Sequence, residues 1–174
     1  MNSNLFRLVG PVVPVVMSML FISAAAAESS ETEFIVRTKA NESCSVTSDK
    51  NVSLGFVSPN TTKKLSPFVV KVTCPGPAPS YVWARHVNGQ SNHHTQVNME
   101  IDGVTHLDDK GTLVQLFESG YAIDLTGMGE TNPGNGFCGG NETRTCNVEP
   151  TIITGSAAVL GKGTVTVRFN LRHT

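Results

Sequence analysis

From Val165 to Arg172 apolar and polar residues alternate without a break: Val165, Val167, Phe169 and Leu171 against Thr166, Arg168, Asn170 and Arg172. A period of two is that of a strand with one buried and one wet face. The same alternation opens the exported part of the chain, where Phe34, Val36, Thr38 and Ala40 interleave with Ile35, Arg37, Lys39 and Asn41. Between these two segments the pattern predicts strands near Ser43 to Thr47, Asn51 to Phe56, Phe68 to Cys74, Tyr81 to His86, Gln96 to Ile101, Thr112 to Phe117, Tyr121 to Leu125 and Cys146 to Ile153. With Glu33 to Ala40 before them and Gly163 to Arg172 after them, they make an all-β sandwich or barrel pattern. Turn signals punctuate it: Pro59-Asn60, Pro75-Gly76-Pro77, Asn88-Gly89, Asp102-Gly103 and Lys110-Gly111. No helical periodicity of useful length competes with this pattern.

Two segments stand apart. Residues 1–27 carry one early Arg7, an apolar run from Leu8 to Ile22 and small residues through Ala25 and Ala27, the arrangement of a signal peptide. Pro11 and Pro14 interrupt the run, which is short for a membrane span. The second is "TGMGETNPGNGFCGGNETRTC", rich in Gly and Asn and too polar to cross a core, which predicts a surface loop.

Composition sharpens the picture. All four cysteines, Cys44, Cys74, Cys138 and Cys146, lie in the exported part, and an even count behind a signal peptide predicts disulfides formed in an oxidising compartment. Three pairings are open, and proximity in sequence favours Cys44 with Cys74 and Cys138 with Cys146. No C-x-x-C pair suggests zinc. One of the 13 basic residues, Arg7, belongs to the leader, so the exported chain has 12 against 14 acidic residues, a net charge of −2. That balance offers nothing to nucleic acid or to an anionic membrane surface.

Candidate chemistry is sparse. The pair His93-His94 sits in a polar loop, where adjacent side chains on extended backbone are expected to point apart. His106 with Asp108, Asp109 and Glu118 lacks the ordering of a hydrolytic triad, and no G-x-S-x-G, H-E-x-x-H or phosphate-binding glycine loop occurs. Tyr81 and Trp83 fall on one face of their strand and are expected to pack in the core rather than to form a sugar platform. The expectation is of a non-enzymatic protein with no metal and no cofactor.

Taken together, the alternating arm, then "CSVTSDKNVSLGFVSPN", then "FVVKVTCPG", then a final alternating strand preceded by glycine, resemble a chaperone-usher fimbrial subunit, a pilin domain. The resemblance covers nearly the whole exported chain. Its most specific part is Cys44, followed by Leu54, Gly55, Phe56 and Val57 and then by Cys74 at the end of an apolar strand. Family members also tend to carry a glycine 14 residues from the end, where this chain has Gly161, and an aromatic at the penultimate position, where it has His173.

The resemblance implies an incomplete immunoglobulin-like sandwich, completed by a donor strand from another subunit. It divides the chain into a signal peptide over 1–27, an N-terminal donor-strand arm over 28–43 and a pilin domain over 44–174. Phe34, Val36, Thr38 and Ala40 become the donor residues, or the opposite face with Ile35 in another register, and Val165, Val167, Phe169 and Leu171 the groove and chaperone-contact strand. Implied partners are a periplasmic chaperone, an outer-membrane usher, other fimbrial subunits and, at a fibre tip, a host receptor. The route is export through the periplasm to the cell surface in a fimbria. The competing readings are a receptor-binding module in which the loop from Gly127 to Cys146, with Trp83 or His93-His94, contacts a glycan or host protein, a spore-coat-like secreted β-sandwich and, last, a secreted hydrolase.

Overall fold

The computed structural model describes residues 43–49, 51–53 and 55–174, so the predicted signal peptide and the arm lie outside the described residues. The strands, in chain order, are β1 (Ser45–Ser48), β2 (Thr62–Lys64), β3 (Phe68–Thr73), β4 (Ser80–His86), β5 (Gln90–His93), β6 (Gln96–Asn98) and β7 (Glu100–Ile101). They continue with β8 (Val104–Thr105), β9 (Thr112–Glu118), β10 (Tyr121–Ala122), β11 (Phe137–Gly140), β12 (Arg144–Thr154), β13 (Gly163–Thr164) and β14 (Val167–His173).

The larger sheet runs β1-β3-β12-β9-β6-β5, with β10 on β9 and β2 on β12, all antiparallel. A second sheet runs β11-β4-β14, and a small one runs β13-β7-β8. Alternation decides the inward faces. Val70 and Val72 of β3, Val114 and Leu116 of β9 and Val148 and Ile152 of β12 meet Val82 and Ala84 of β4 in one core. The exposed partners, among them Val69 and Lys71, face water. Val165, Val167, Phe169 and Leu171 pack half-buried against that core, as the final alternation requires.

Pro150 lies in the middle of β12, a central strand, where a missing N–H ordinarily breaks a ladder. Its carbonyl accepts from the Leu65 N–H at 2.9 Å, and its neighbour on that side changes from β3, which ends opposite Val148, to β2, which begins opposite Thr151. Backbone N–H and C=O of one strand residue point the same way. The absent donor therefore faces the gap between two partners and costs no ladder bond.

Several expected strands are shorter or divided, each for a visible reason. Asn51 to Phe56 forms no strand: Gly55 takes a φ of 66°, and the described residues around it join no ladder. Gln96 to Ile101 divides at Met99 into β6 and β7, which belong to different sheets. Only Tyr121–Ala122 of the expected Tyr121 to Leu125 pairs with β9, because the chain then crosses between sheets. The Ile123 N–H still donates to Leu116 O at 2.8 Å, while Leu125 O already accepts from His86 N on β4 at 2.8 Å. Gly163 to Arg172 divides in the same way, β13 joining β7 and β14 joining β4. The short strands β2, β5, β8 and β11 fall in segments read as turns or loop.

The glycine-rich stretch is more ordered than a surface loop. Its β11 pairs with β4, Phe137 opposite Val82 and Gly140 opposite Ser80. Two of its glycines lie against the outer face of β4, where a Cβ on Gly129 would meet Trp83 Cβ at 2.6 Å and one on Gly136 would meet the Tyr81 ring at 2.3 Å. Absent side chains thus let the loop lie flat on the aromatic face. Tyr81, which is buried, and Trp83, which is half-buried, therefore pack beneath this loop and not in the core between the sheets as expected, because β4 turns Val82 and Ala84 to that core.

Both disulfides form as proximity suggested, Cys44 with Cys74 and Cys138 with Cys146. Between them lies Arg144, whose guanidinium donates from Nε to Cys138 O at 2.7 Å and from Nη1 to Glu142 O at 2.9 Å. Its Nη2 reaches Ser80 O at 2.9 Å and Ser80 Oγ at 3.1 Å. Burial lowers the Arg144 pKa from the ordinary arginine value, and the bonds to carbonyl oxygen offset that desolvation. Arg144→Ala strands these carbonyls and is expected to cost about 2 kcal/mol, with Arg144→Lys recovering only part. Urea unfolding with the disulfides intact measures it, and a loss under about 0.5 kcal/mol would deny the arginine this role.

Candidate functional site

Among the described residues β14 has one hydrogen-bonded neighbour, β4, and its phase is set at both ends. Val87 N donates to Thr166 O at 2.8 Å, and Thr174 N donates to Pro79 O at 3.1 Å. Direct partners are Arg168 with Arg85, Asn170 with Trp83 and Arg172 with Tyr81. The even-numbered residues therefore turn their backbone groups toward β4. By antiparallel alternation, Val165, Val167, Phe169 and Leu171 turn theirs the other way, along the edge that has no strand among the described residues. An edge of this kind is a template for another chain.

A cleft of about 970 Å³ runs along that edge. Val165, Val167 and Phe169 form one wall, Phe68, Val114, Leu116 and Pro150 line it from the larger sheet, and Met99 lines it from between β6 and β7. Across from β14 stands the irregular segment after β1, with Asp49, Asn51, Val52, Ser53, Gly55 and Phe56. This second wall is held chiefly at its ends. β1 pairs with β3, Thr154 Oγ1 donates to Ser58 O at 2.7 Å, and between them Lys63 Nζ donates to Phe56 O at 3.1 Å. Phe56 is fully exposed, at 101 % of its reference area.

Phe169 is the centre of the site. Its ring lies 6.1 Å from that of Phe68 on β3 and 5.8 Å, edge-on, from that of Phe137 on β11, so one side chain ties both sheets and the stapled loop together. Leu171 packs on the core beyond the cleft lining. At the other end, Asn88 holds the point where the chain leaves β13 for β14. Its Oδ1 accepts from Thr166 N, and its Nδ2 donates to Glu100 Oε2 at 2.9 Å.

The sequence had marked Asn88 only as a turn residue and had not singled out Phe68, Met99 or Leu116. Each lies far along the chain from β14, so no local pattern could have joined them to it. Phe34, Val36, Thr38 and Ala40 lie outside the described residues, as does Leu54 of the cysteine-linked motif. Gly161 is at the mouth of the cleft, where a Cβ would meet Asp102 Oδ2 at 2.3 Å, and exposed His173 pairs opposite Ser80 at the far end of β14.

The His93 and His94 rings come within 4.2 Å at the turn between β5 and β6, against the expectation that they point apart; the backbone leaves extended geometry there. Among the described residues no three His, Cys, Asp or Glu side chains gather as a metal site would need.

No protein-family model matches the chain, and no curated protein sequence is similar to it. Solved structures do match. The P pilus rod subunit PapA superposes with a TM-score of 0.52 at 13% identity, covering 75% of this chain and 99% of that one. A chain from a structure of a chaperone-usher pilus superposes with a TM-score of 0.53 at 11% identity, covering 95% of this chain and 100% of that one. At these identities the likeness is one of fold: this chain has the all-β architecture of chaperone-usher pilus subunits.

Proposed function

We propose that this chain is a structural or adaptor subunit of a bacterial adhesive fimbria, polymerised by donor-strand exchange. The observation that carries the reading is the open edge of β14 beside an apolar cleft, with Val165, Val167 and Phe169 turned into it. An extended segment laid there pairs with the outward backbone groups of these residues and buries alternate side chains against Phe68, Met99 and Leu116, which is β-strand addition. The likeness in fold to pilus subunits supports the same reading.

In this scheme a periplasmic chaperone first lends a strand to the cleft, and at an outer-membrane usher the arm of another subunit replaces it. The chain's own residues 28–43 are the arm it gives in turn, and the finished fibre stands on the cell surface. A sugar platform on Tyr81 and Trp83 is disfavoured, because these side chains lie beneath Gly136 and Gly129 and the Tyr81 ring is buried.

The test is a melting experiment on the exported chain, residues 28–174, with extended donor peptides: its own residues 28–43 and the arms of neighbouring subunits. At 100 times its dissociation constant a bound strand adds about 2.7 kcal/mol of stability, a rise of several degrees in Tm. A chain that melts at the same temperature whatever strand is supplied is not an incomplete sandwich.

A further inference from the structure

We infer that the cleft beside β14 discriminates against the arm of a second copy of this chain and takes a strand with acidic residues on its outward face, a reading that rests on the donor-strand function proposed above. The residues of β14 that alternate with the cleft-lining set are Arg168, Asn170 and Arg172, and both arginines are exposed. Directly across from Arg168 on β4 stands Arg85, also exposed. Its stem is confined by Gly127, where a Cβ would come within 3.2 Å of Arg85 Cδ. The outer face of this open edge therefore carries three guanidinium groups. Among the described residues the one ion pair joins Lys64 to Glu149, on the other sheet.

A strand entering the cleft becomes the next neighbour of β14, and its outward side chains stand opposite or diagonal to Arg168 and Arg172. Like charges so placed destabilise a sheet and opposite charges stabilise it. With Phe34, Val36, Thr38 and Ala40 turned inward, this chain's own arm presents Glu33, Ile35, Arg37, Lys39 and Asn41 outward. One acid then accompanies two cations beside two more. Sliding by two residues keeps Arg37 and Lys39 on that face. Sliding by one buries them, which costs far more. Neither slide escapes the conflict.

The fitting donor is thus an extended segment with apolar residues on one face and Asp or Glu at alternate positions on the other, supplied by a different subunit. The same logic places Arg37 and Lys39 of this chain's arm beside acidic residues at the edge of another subunit's groove. The chain occupies single positions between unlike neighbours and does not run as a homopolymer.

Competition binding to the exported chain tests this with three peptides over residues 28–43: the native sequence, R37E/K39E, and F34D/V36D. At about 50 mM salt the R37E/K39E peptide should bind about tenfold tighter than the native one, and at about 1 M the two should converge within about twofold. An R168E/R172E chain should reverse the preference. Should native and R37E/K39E peptides bind equally at low salt while F34D/V36D fails, the charge selection is wrong and the donor-strand reading stands. Should none of the three bind, and no neighbouring subunit's arm either, both readings fall. Head-to-tail fibres grown from this chain alone would also overturn the inference.

Discussion

Phe169→Ala is expected to lower the unfolding free energy by about 3 kcal/mol and to weaken donor-strand capture at the same time. Core Phe→Ala changes cost about 3 to 5 kcal/mol, and the half-exposed position of Phe169 puts it at the lower end. The ring meets Phe68 from the larger sheet and Phe137 from the stapled loop, so its loss leaves a void shared by three elements. It also removes the cleft surface on which an incoming side chain rests. Denaturant unfolding with intact disulfides measures the first effect, and peptide titration of the same variant the second. Phe169→Leu, which keeps volume and apolar character, should recover more than half of the stability. A variant that loses under about 1 kcal/mol would show that the three rings do not join the sheets.

Breaking the Cys44–Cys74 bridge is expected to cost about 3 to 4 kcal/mol and breaking Cys138–Cys146 about 2.5, from the entropy of closing the two loops. Their sequence separations are 30 and 8. Packing widens the gap. Cys44 is buried, with Sγ 3.8 Å from both Ala78 O and Ser80 Oγ, and its bridge anchors β1, from which the irregular cleft wall departs. The shorter bridge spans a stretch already held by Arg144 and by the pairing of β11 with β4. Paired Cys→Ser variants should therefore differ in function as well as in Tm. The variant lacking the first bridge loses donor-strand binding, and the variant lacking the second keeps it. The opposite order would mean that the stapled loop, and not β1, supports the cleft.

The parts of the fold legible in the sequence were those written in adjacent residues. Inward positions of β3, β9 and β12 follow from a period of two, and Val70, Val72, Val114 and Ile152 are all buried as alternation requires, whereas β4 turns Val82 and Ala84 to the core and its two rings to the loop on the other side. Gly127, Gly129 and Gly136 were recognised as loop residues, but their fit against Arg85, Trp83 and Tyr81 was not, because composition says nothing of what a loop lies upon.

The cleft shows the same division. Alternation from Val165 to Leu171 identified the strand that borders it, and family resemblance, not periodicity, suggested that its neighbour comes from elsewhere. Which backbone groups face the open edge was settled by two distant bonds, Val87 N to Thr166 O and Thr174 N to Pro79 O.

By itself, then, the sequence determined the all-β class, the inward and outward faces of β3, β9, β12 and β14 and the favoured cysteine pairing, since all of these depend on neighbours a few residues apart or on loop length. Only the tertiary structure decided where strands end. Gln96 to Ile101 and Gly163 to Arg172 read as unbroken strands, yet each is shared between two sheets, because backbone partners far along the chain, β9 and β13 for one and β7 and β4 for the other, compete for successive residues. Asn88, taking Thr166 N on one side and Glu100 on the other, fixes the second of these breaks and with it the place where the open edge of β14 begins.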